Sequence, residues 1–265
     1  WPNVDLSTAT YTLAAMWALA PGSLRRERHR FAMAGIFAGA AVGTKLTALI
    51  SSALLGVVVL AVLVLFKKWR AFAWFTIPAA LVCAPWFVRN AVIHGNPVYP
   101  AAYGVFGGPE WSKEADALYK AQAGRKGMGD STADLLLSPL DVTLRWQAVP
   151  EDPDDPRVRL GRFFGTIIPG GFEDHNPGPA MLALLPAALV GLGLLLARNR
   201  LSIVGWLVFL QLVLGWIAWF YTYQSVRFLL VQLALSGVMG TVTLAWLCRG
   251  NKVLRHAALG LVYLL

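Results

Sequence analysis

Cysteine is nearly absent from this sequence, with two in 265 residues, and charged residues make up only 14% of it. Cys83 and Cys248 both stand inside apolar segments, so there is neither a disulfide framework nor metal-ligand spacing; no CxxC or HExxH occurs. Acidic residues are scarce too, 14 against 23 lysines and arginines, for a formal charge of +9. A nucleic-acid surface would need that excess clustered on one soluble face among groove-reading or stacking elements. Here the bases stand in short runs between apolar segments. That excludes nucleic acid as the partner and marks the runs as topology signals facing anionic lipid. Low-complexity tracts and fixed-period repeats are missing. So is a glycine-rich phosphate loop: "GIFAGAAVG" at 35–43 is small-residue spacing for close helix packing. No serine has the strand-turn-helix setting of a nucleophile elbow. Soluble-enzyme chemistry is therefore not signalled.

Hydrophobicity is what the chain has in excess, at 57% of residues, which is too apolar for a soluble domain of this length. The expected class is all-α, a polytopic membrane protein. The chain opens on Trp1 and stops at Leu265 within an apolar run, so it is expected to be a piece of a longer one. Apolar runs lie at 10–20, 31–44, 46–66, 71–88, 179–197, 201–222 and 226–248, and another begins at 253–265. A helix needs about 20 residues to span a bilayer. Gly43, Thr44 and Lys45 interrupt what would be one stretch from 31 to 66, too long for one helix and short for two, which predicts a tight helical hairpin turning near Lys45.

Loop charges orient the threading, because cytoplasmic loops collect Lys and Arg. Arg25, Arg26, Arg28 and Arg30 precede the hairpin, and Lys67, Lys68 and Arg70 follow it. Both of its ends then face the cytoplasm and Lys45 faces out. Residues 71–88 cross outward and 91–178 form an outer loop. The chain returns to Arg198 and Arg200, goes out to "YTYQS", and comes in again to Arg249, Lys252 and Arg255. This threading leaves 13 of the 14 acidic residues outside, Glu27 being the exception, and puts the two cysteines toward opposite faces. Three regions follow: N-terminal membrane helices at 1–90, an extracytoplasmic loop region at 91–178, and C-terminal membrane helices at 179–265. Asp5, Lys45, Arg89, Asn90, Gln224 and Arg227 all fall at outer helix ends, a set suited to an anionic, polyhydroxylated ligand.

A connection of about 90 residues between helices usually carries structure or function. In "WSKEADALYKAQAGR", Trp111, Ala115, Leu118 and Tyr119 keep helical spacing, which predicts an amphipathic surface helix. "ADLLLSPLDVTLRW" reads as a second apolar helix broken at Pro139. "EDPDDP" at 151–156 has the charge of a calcium loop but lacks its glycine and terminal Glu, and reads as a solvated acidic turn. Glu173, Asp174 and His175 gather before a returning helix. They are the weak candidates for a divalent metal, the one cofactor considered, against the reading of a polar capping loop.

In order along the chain, "PNVDLSTATYTLAAMWALA", "GAAVGTKLTAL", "PWFVRNAVIHGNPVYP", "GMGDSTADLLLSPLDVTL", "GPAMLALLP" and "QSVRFLL" resemble the bacterial GT-C membrane glycosyltransferases that use a polyprenyl-phosphate-linked sugar. That group includes protein mannosyltransferase-like and aminoarabinose-transferase-like enzymes. The resemblance runs over nearly the whole chain, and the PW..RN...GNPVYP block carries most of it. It implies an active site in an outer-face cavity between membrane helices and a loop with surface helices. It also implies that Asp5 matches the acidic residue beside the catalytic cavity, Lys45 a lysine facing the lipid phosphate, and Arg227 the arginine of a late outer-end motif. The family's first outer loop, with the aspartate usually assigned as acid/base, would precede Trp1. The late motif commonly continues into proline, where this chain has Val231.

The expected activity is transfer of a sugar, with inversion, from a polyprenyl-phosphate donor to a glycan, lipid or protein acceptor on the outer side of the inner (plasma) membrane. The expected site has Asp5 in the catalytic place. Lys45, Arg89, Asn90, His94, Asn96, Tyr99, Gln224 and Arg227 contact substrate. Cations fixed beside a phosphate leaving group stabilise the charge that grows as the glycosidic bond breaks. Each has a plainer reading: end-of-helix cations snorkel to headgroups, Asp5 caps a helix, and interfacial Trp86 and Trp111 need no ligand. The rival function is a transporter or flippase of lipid-linked glycans, which would cleave no bond. It usually shows repeated helix sets with polar groups at the bilayer midplane.

Overall fold

The computed structural model describes residues 2–20, 27–65, 67–123, 129–144, 181–198, 203–222, 224–250 and 256. Among these the regular structure is helical throughout, with no strand. The helices are α1 (Pro2–Leu19), α2 (Glu27–Thr44), α3 (Ala48–Leu65), α4 (Ala73–His94), α5 (Tyr103–Phe106), α6 (Lys113–Ala123), α7 (Thr132–Leu144), α8 (Met181–Ala197), α9 (Ile203–Thr222) and α10 (Leu230–Leu247). Short 3-10 turns at Trp69–Phe72 and Val226–Leu229 lead into α4 and α10.

Among the described residues four spans are long and apolar enough to cross a membrane: Ala48–Leu65, Trp69–His94, Val204–Thr222 and Val226–Leu247. The apolar α8 has 17 residues. The other two sequence-expected crossings, α1 and α2, are as long as α3 but more polar. In α1 the threonines hide their hydroxyls by bonding back one turn, Thr8 to the Val4 carbonyl at 2.9 Å and Thr12 to the Thr8 carbonyl at 2.9 Å.

The chain divides into two compact units, Trp1–Arg125 with Ser202–Gly215, and Lys126–Leu201 with Trp216–Leu265. In the first, α2 ends at Thr44 and α3 starts at Ala48, so the hairpin turns at Lys45 as the interrupted apolar stretch predicts. α4 runs beside α2 in the same direction. A Cβ on Gly35 would overlap the Phe75 carbonyl, one on Gly39 the Ala79 carbonyl, and one on Gly43 would lie 3.9 Å from the Val82 carbonyl. Three glycines at four-residue spacing thus let two backbones touch, the small-residue packing that lipid-embedded helices use. Deep in the same unit Gln211 donates to Ser51 Oγ at 2.9 Å, a paired polar contact inside two apolar spans.

In the second unit α8 and α10 also run in the same direction. A Cβ on Gly240 would strike the Leu184 backbone, and one on Gly191 the Thr243 side chain. Val142, Leu185, Trp216, Trp219, Phe220, Val226, Leu229 and Leu233 form its core.

One expectation about this unit is corrected. α7 is not broken at Pro139 but runs through it. Proline has no N–H for the Leu135 carbonyl one turn back, and Ser138 Oγ donates to that carbonyl at 2.7 Å instead.

Candidate functional site

At one end of the first unit three helix termini meet. α1 begins there and α2 turns into α3 there. The last turns of α4 extend past them, since Cys83 is already level with Gly43. The turn is fixed locally: Lys45 N–H donates to the Ala41 carbonyl at 3.0 Å, and Ala48 N–H to the Lys45 carbonyl at 3.0 Å. Asp5, in the first turn of α1, forms an ion pair with Lys45. The carboxylate is 8% exposed and the ammonium 23%. A charge so far out of water is kept only when paired, so Asp5 and Lys45 hold each other in place. The opposite end of the unit is different, with an exposed Lys68–Glu27 pair at 3.1 Å and Arg30 donating to the Leu19 carbonyl.

Arg89 and Asn90 occupy adjacent positions near the end of α4, where Arg89 is exposed and Asn90 buried. The guanidinium donates to Asn90 Oδ1 at 3.4 Å, a long bond that leaves most of its donor fork for other partners. α4 ends at Gly95, which takes φ +65° and returns its N–H to the Ala91 carbonyl, the left-handed cap glycine supplies at little cost. Asn96 follows, fully buried. Its Nδ2 donates to the carbonyls of Ala101 and Gly107 at 2.9 and 3.2 Å, and its Oδ1 accepts from Val98 N–H at 2.9 Å. Asn96 thus has both ends of its amide bonded to its own segment, and it shapes the turn.

Beyond the turn an aromatic ladder ties α4 to α6. His94 stacks on Tyr99 with centroids 4.0 Å apart and planes at 12°. Tyr99 meets Trp111 edge-on at 6.0 Å, and Trp111 meets Tyr119 at 6.3 Å. Glu110 Oε2 lies 3.6 Å from His94 Nδ1, too far for a hydrogen bond. His94 Nδ1 and Trp111 Nε1 are buried without a hydrogen-bond partner. Below the polar end, an apolar crevice of about 340 Å³ between α2, α3 and α4 runs from Phe72 past Ser52 and Cys83 to Phe87.

The structure thus brings Asp5 and Lys45 into contact, places Arg89 and Asn90 at the same end of the unit, and stacks His94 on Tyr99. Gln224 and Arg227 belong to the second unit. There Gln224 is buried and donates to the carbonyls of Gly129 and Phe220, at 2.8 and 3.1 Å, while Arg227 is exposed with its guanidinium 5.2 Å from the Phe228 ring centroid. Glu173, Asp174 and His175 lie outside the described residues. Among the described residues no three His, Cys, Asp or Glu gather as metal ligands.

Sequence reading missed Glu110, whose only signal is an acid one place before Trp111, and the crevice. It also missed the buried polar side of α7, where Ser138 is fully buried and Asp141 is 8% exposed.

Residues 2–138 match the model of a family described as Domain of unknown function (DUF8201). No curated protein and no solved structure matches the chain.

Proposed function

The chain belongs to the DUF8201 family, and from the polar end of its first unit we propose an integral membrane glycosyltransferase of the GT-C type. It moves a sugar from a polyprenyl-phosphate donor to an acceptor on the extracytoplasmic face of the bacterial inner membrane. The observation that carries this reading is the Asp5–Lys45 pair at the meeting of three helix ends, with Arg89 beyond it on α4.

The donor phosphate takes Lys45 and Arg89, drawing Lys45 away from Asp5. The acceptor hydroxyl attacks the sugar C1 from the face opposite the phosphate. The C1–O bond breaks and its electron pair stays on the polyprenyl phosphate, which gains a charge. The acceptor proton passes to the Asp5 carboxylate that Lys45 has released. Cations held against the phosphate favour the product-like charge over the ground state, and arginine meets two phosphate oxygens at once. Asn90, His94 and Tyr99 wall the sugar, and the apolar crevice suits the prenyl chain.

Transfer from lipid-linked sugar by the full-length protein in vesicles tests the reading. Lys45→Ala, Arg89→Ala and Asp5→Asn should each cut turnover by 10²-fold or more, the scale of losing one preorganised charge contact. Unchanged transfer in all three removes this end as the site. Lipid-linked sugar crossing the bilayer with its glycosidic bond intact makes the protein a flippase.

A further inference from the structure

α7 wears its polarity reversed for a helix in water. Ala133, Leu136, Leu137 and Leu140 form one exposed stripe, the leucines at 75%, 50% and 47% exposure. The face toward the protein carries Leu135, Ser138, Asp141 and Val142, with Ser138, Asp141 and Val142 buried. A helix on a soluble surface shows the opposite arrangement.

Two hydrogen bonds fix where α7 lies along the membrane-long helix α9. Just before α7, the Gly129 carbonyl accepts from Gln224 Nε2 at 2.8 Å, two residues beyond Thr222, where the span ends. Nine residues later, Ser138 Oγ accepts from Trp216 Nε1 at 2.8 Å. Trp216 stands six residues inside Thr222, about 9 Å deeper at 1.5 Å per residue. Val142, one turn further on, packs in the core cluster with Trp216 and with Leu185 of α8. The N-terminus stays polar and closed: Ser131 Oγ accepts from Asp134 N–H at 3.1 Å and Asp134 Oδ2 accepts from Ser131 N–H at 3.1 Å, a reciprocal cap. α7 therefore starts level with the end of a span and descends along it.

We propose that α7 is a membrane-embedded helix that enters the bilayer from the polar rim at Gly129. Its Leu136–Leu137–Leu140 stripe is a lipid-binding surface whose partner is the acyl layer of the surrounding phospholipid. Water is excluded at the depth of Trp216, and hydrocarbon is the medium in which three exposed leucines on an intact helix are at home. The buried polar atoms Ser138 and Asp141 then sit on the one side where protein can pair them. This inference is independent of the transferase reading, which rests on the first unit.

The test is site-directed spin labelling of the full chain, with Cys83→Ser and Cys248→Ser, reconstituted in phosphatidylcholine–phosphatidylglycerol vesicles. Labels go at L136C, L137C and L140C, with L81C on α4 as lipid reference and D130C as water reference. Power saturation should give collision rates with oxygen severalfold above those with a nickel chelate at all three leucine positions, as at 81, and the reverse at 130. Nickel access at 137 and 140 equal to that at 130 would place the stripe in water and overturn the proposal. Low access to both reagents would show a protein covering it, a second copy or another chain, and would overturn it as well. The three positions share one face, so a variant that fails to reconstitute leaves two that report.

Discussion

α2 with α4, and α8 with α10, are two solutions to packing a pair of like-directed helices where hydrophobic burial gives no preference for protein over lipid. In the first pair one helix supplies all the glycine. Gly35, Gly39 and Gly43 face the α4 backbone in register, so α4 is held by its main chain and keeps Ile77, Leu81, Val88 and Val92 exposed. In the second pair the helices exchange. Gly191 of α8 takes the Thr243 side chain, and Gly240 of α10 takes the Leu184 backbone. A backbone-on-backbone seam is rigid because neither side can rotate away, whereas a glycine against a threonine can yield by a rotamer change. The stiffer seam is the one under the helix ends that carry Asp5, Lys45 and Arg89.

The largest expected effect comes from breaking that seam. Gly39→Leu should abolish the folded state in detergent. Gly39→Ala, one methyl against the Ala79 carbonyl, should cost toward the upper end of the ~1–3 kcal/mol typical of overpacking. Gly191→Ala should cost less, because Thr243 can turn. Gly193→Ala, with nothing within 4 Å, should stabilise α8 by up to about 1 kcal/mol through helix propensity. Thermal unfolding of the four variants checks the order. Equal stability for the alanines at 39 and 193 would sink the account of the seam.

Next in size is the charged end. Asp5→Ala or Lys45→Ala removes one member of a largely buried charge pair, a loss that lies between the cost for fully buried and for surface pairs, about 1–3 kcal/mol. The double variant should recover part of the loss of each single one, and a cycle of four unfolding free energies measures that coupling. Strict additivity would mean the two charges do not support each other.

These two regions also differ in how far they could be read from residues alone. The hairpin at Lys45 and the glycine spacing at 35–43 are periodic signals within one stretch of chain, and both stand in the fold. The Asp5–Lys45 contact is not local. It exists because α1 and α2 are antiparallel over matched lengths, which brings residue 5 beside residue 45. Asn96 and Gln224 show the limit from another side. Which backbone groups a buried amide will meet is not visible in sequence, because it depends on the carbonyls of Ala101, Gly107 and Gly129 arriving within reach. The unbroken α7 was hidden for a similar reason, since Pro139 signals a stop and only the preceding serine, turned inward, replaces the missing donor.

A smaller effect is expected where the second unit relies on one hydrogen bond. Ser138→Ala removes the acceptor for Trp216 and the donor to the Leu135 carbonyl, leaving a buried indole N–H unmet. Such an orphan costs about 1–3 kcal/mol. Trp216→Phe removes the indole N–H but also area from the core. Ser138→Ala should therefore lower the unfolding midpoint without disturbing α2–α4, and hydrogen exchange confined to α7 and α9 would show it. Protection lost equally across α2 would mean the two regions are not separable in this way.

The smallest effect lies outside the spans, in α6. Ser112 caps this helix, its Oγ accepting from Ala115 N–H at 3.0 Å. Glu114 in the first turn accepts from its own backbone N–H and from the Ser112 hydroxyl, which together hold its carboxyl below the ordinary value for glutamate. A carboxyl whose folded value is depressed favours the folded helix at every pH above its unfolded value. That contribution fades as pH falls through the folded one. Around neutral pH α6 should be insensitive to acidity, and it should loosen only below the ordinary glutamate range. The group is fully exposed, so the change is confined to fraying of one helix. Amide exchange at Ala115 and Asp116 should quicken on acidification in the wild type beyond the intrinsic rate change. Glu114→Gln, which keeps a hydrogen-bonding side chain but cannot titrate, should flatten that response. An unaltered response in the glutamine variant would remove Glu114 as its source.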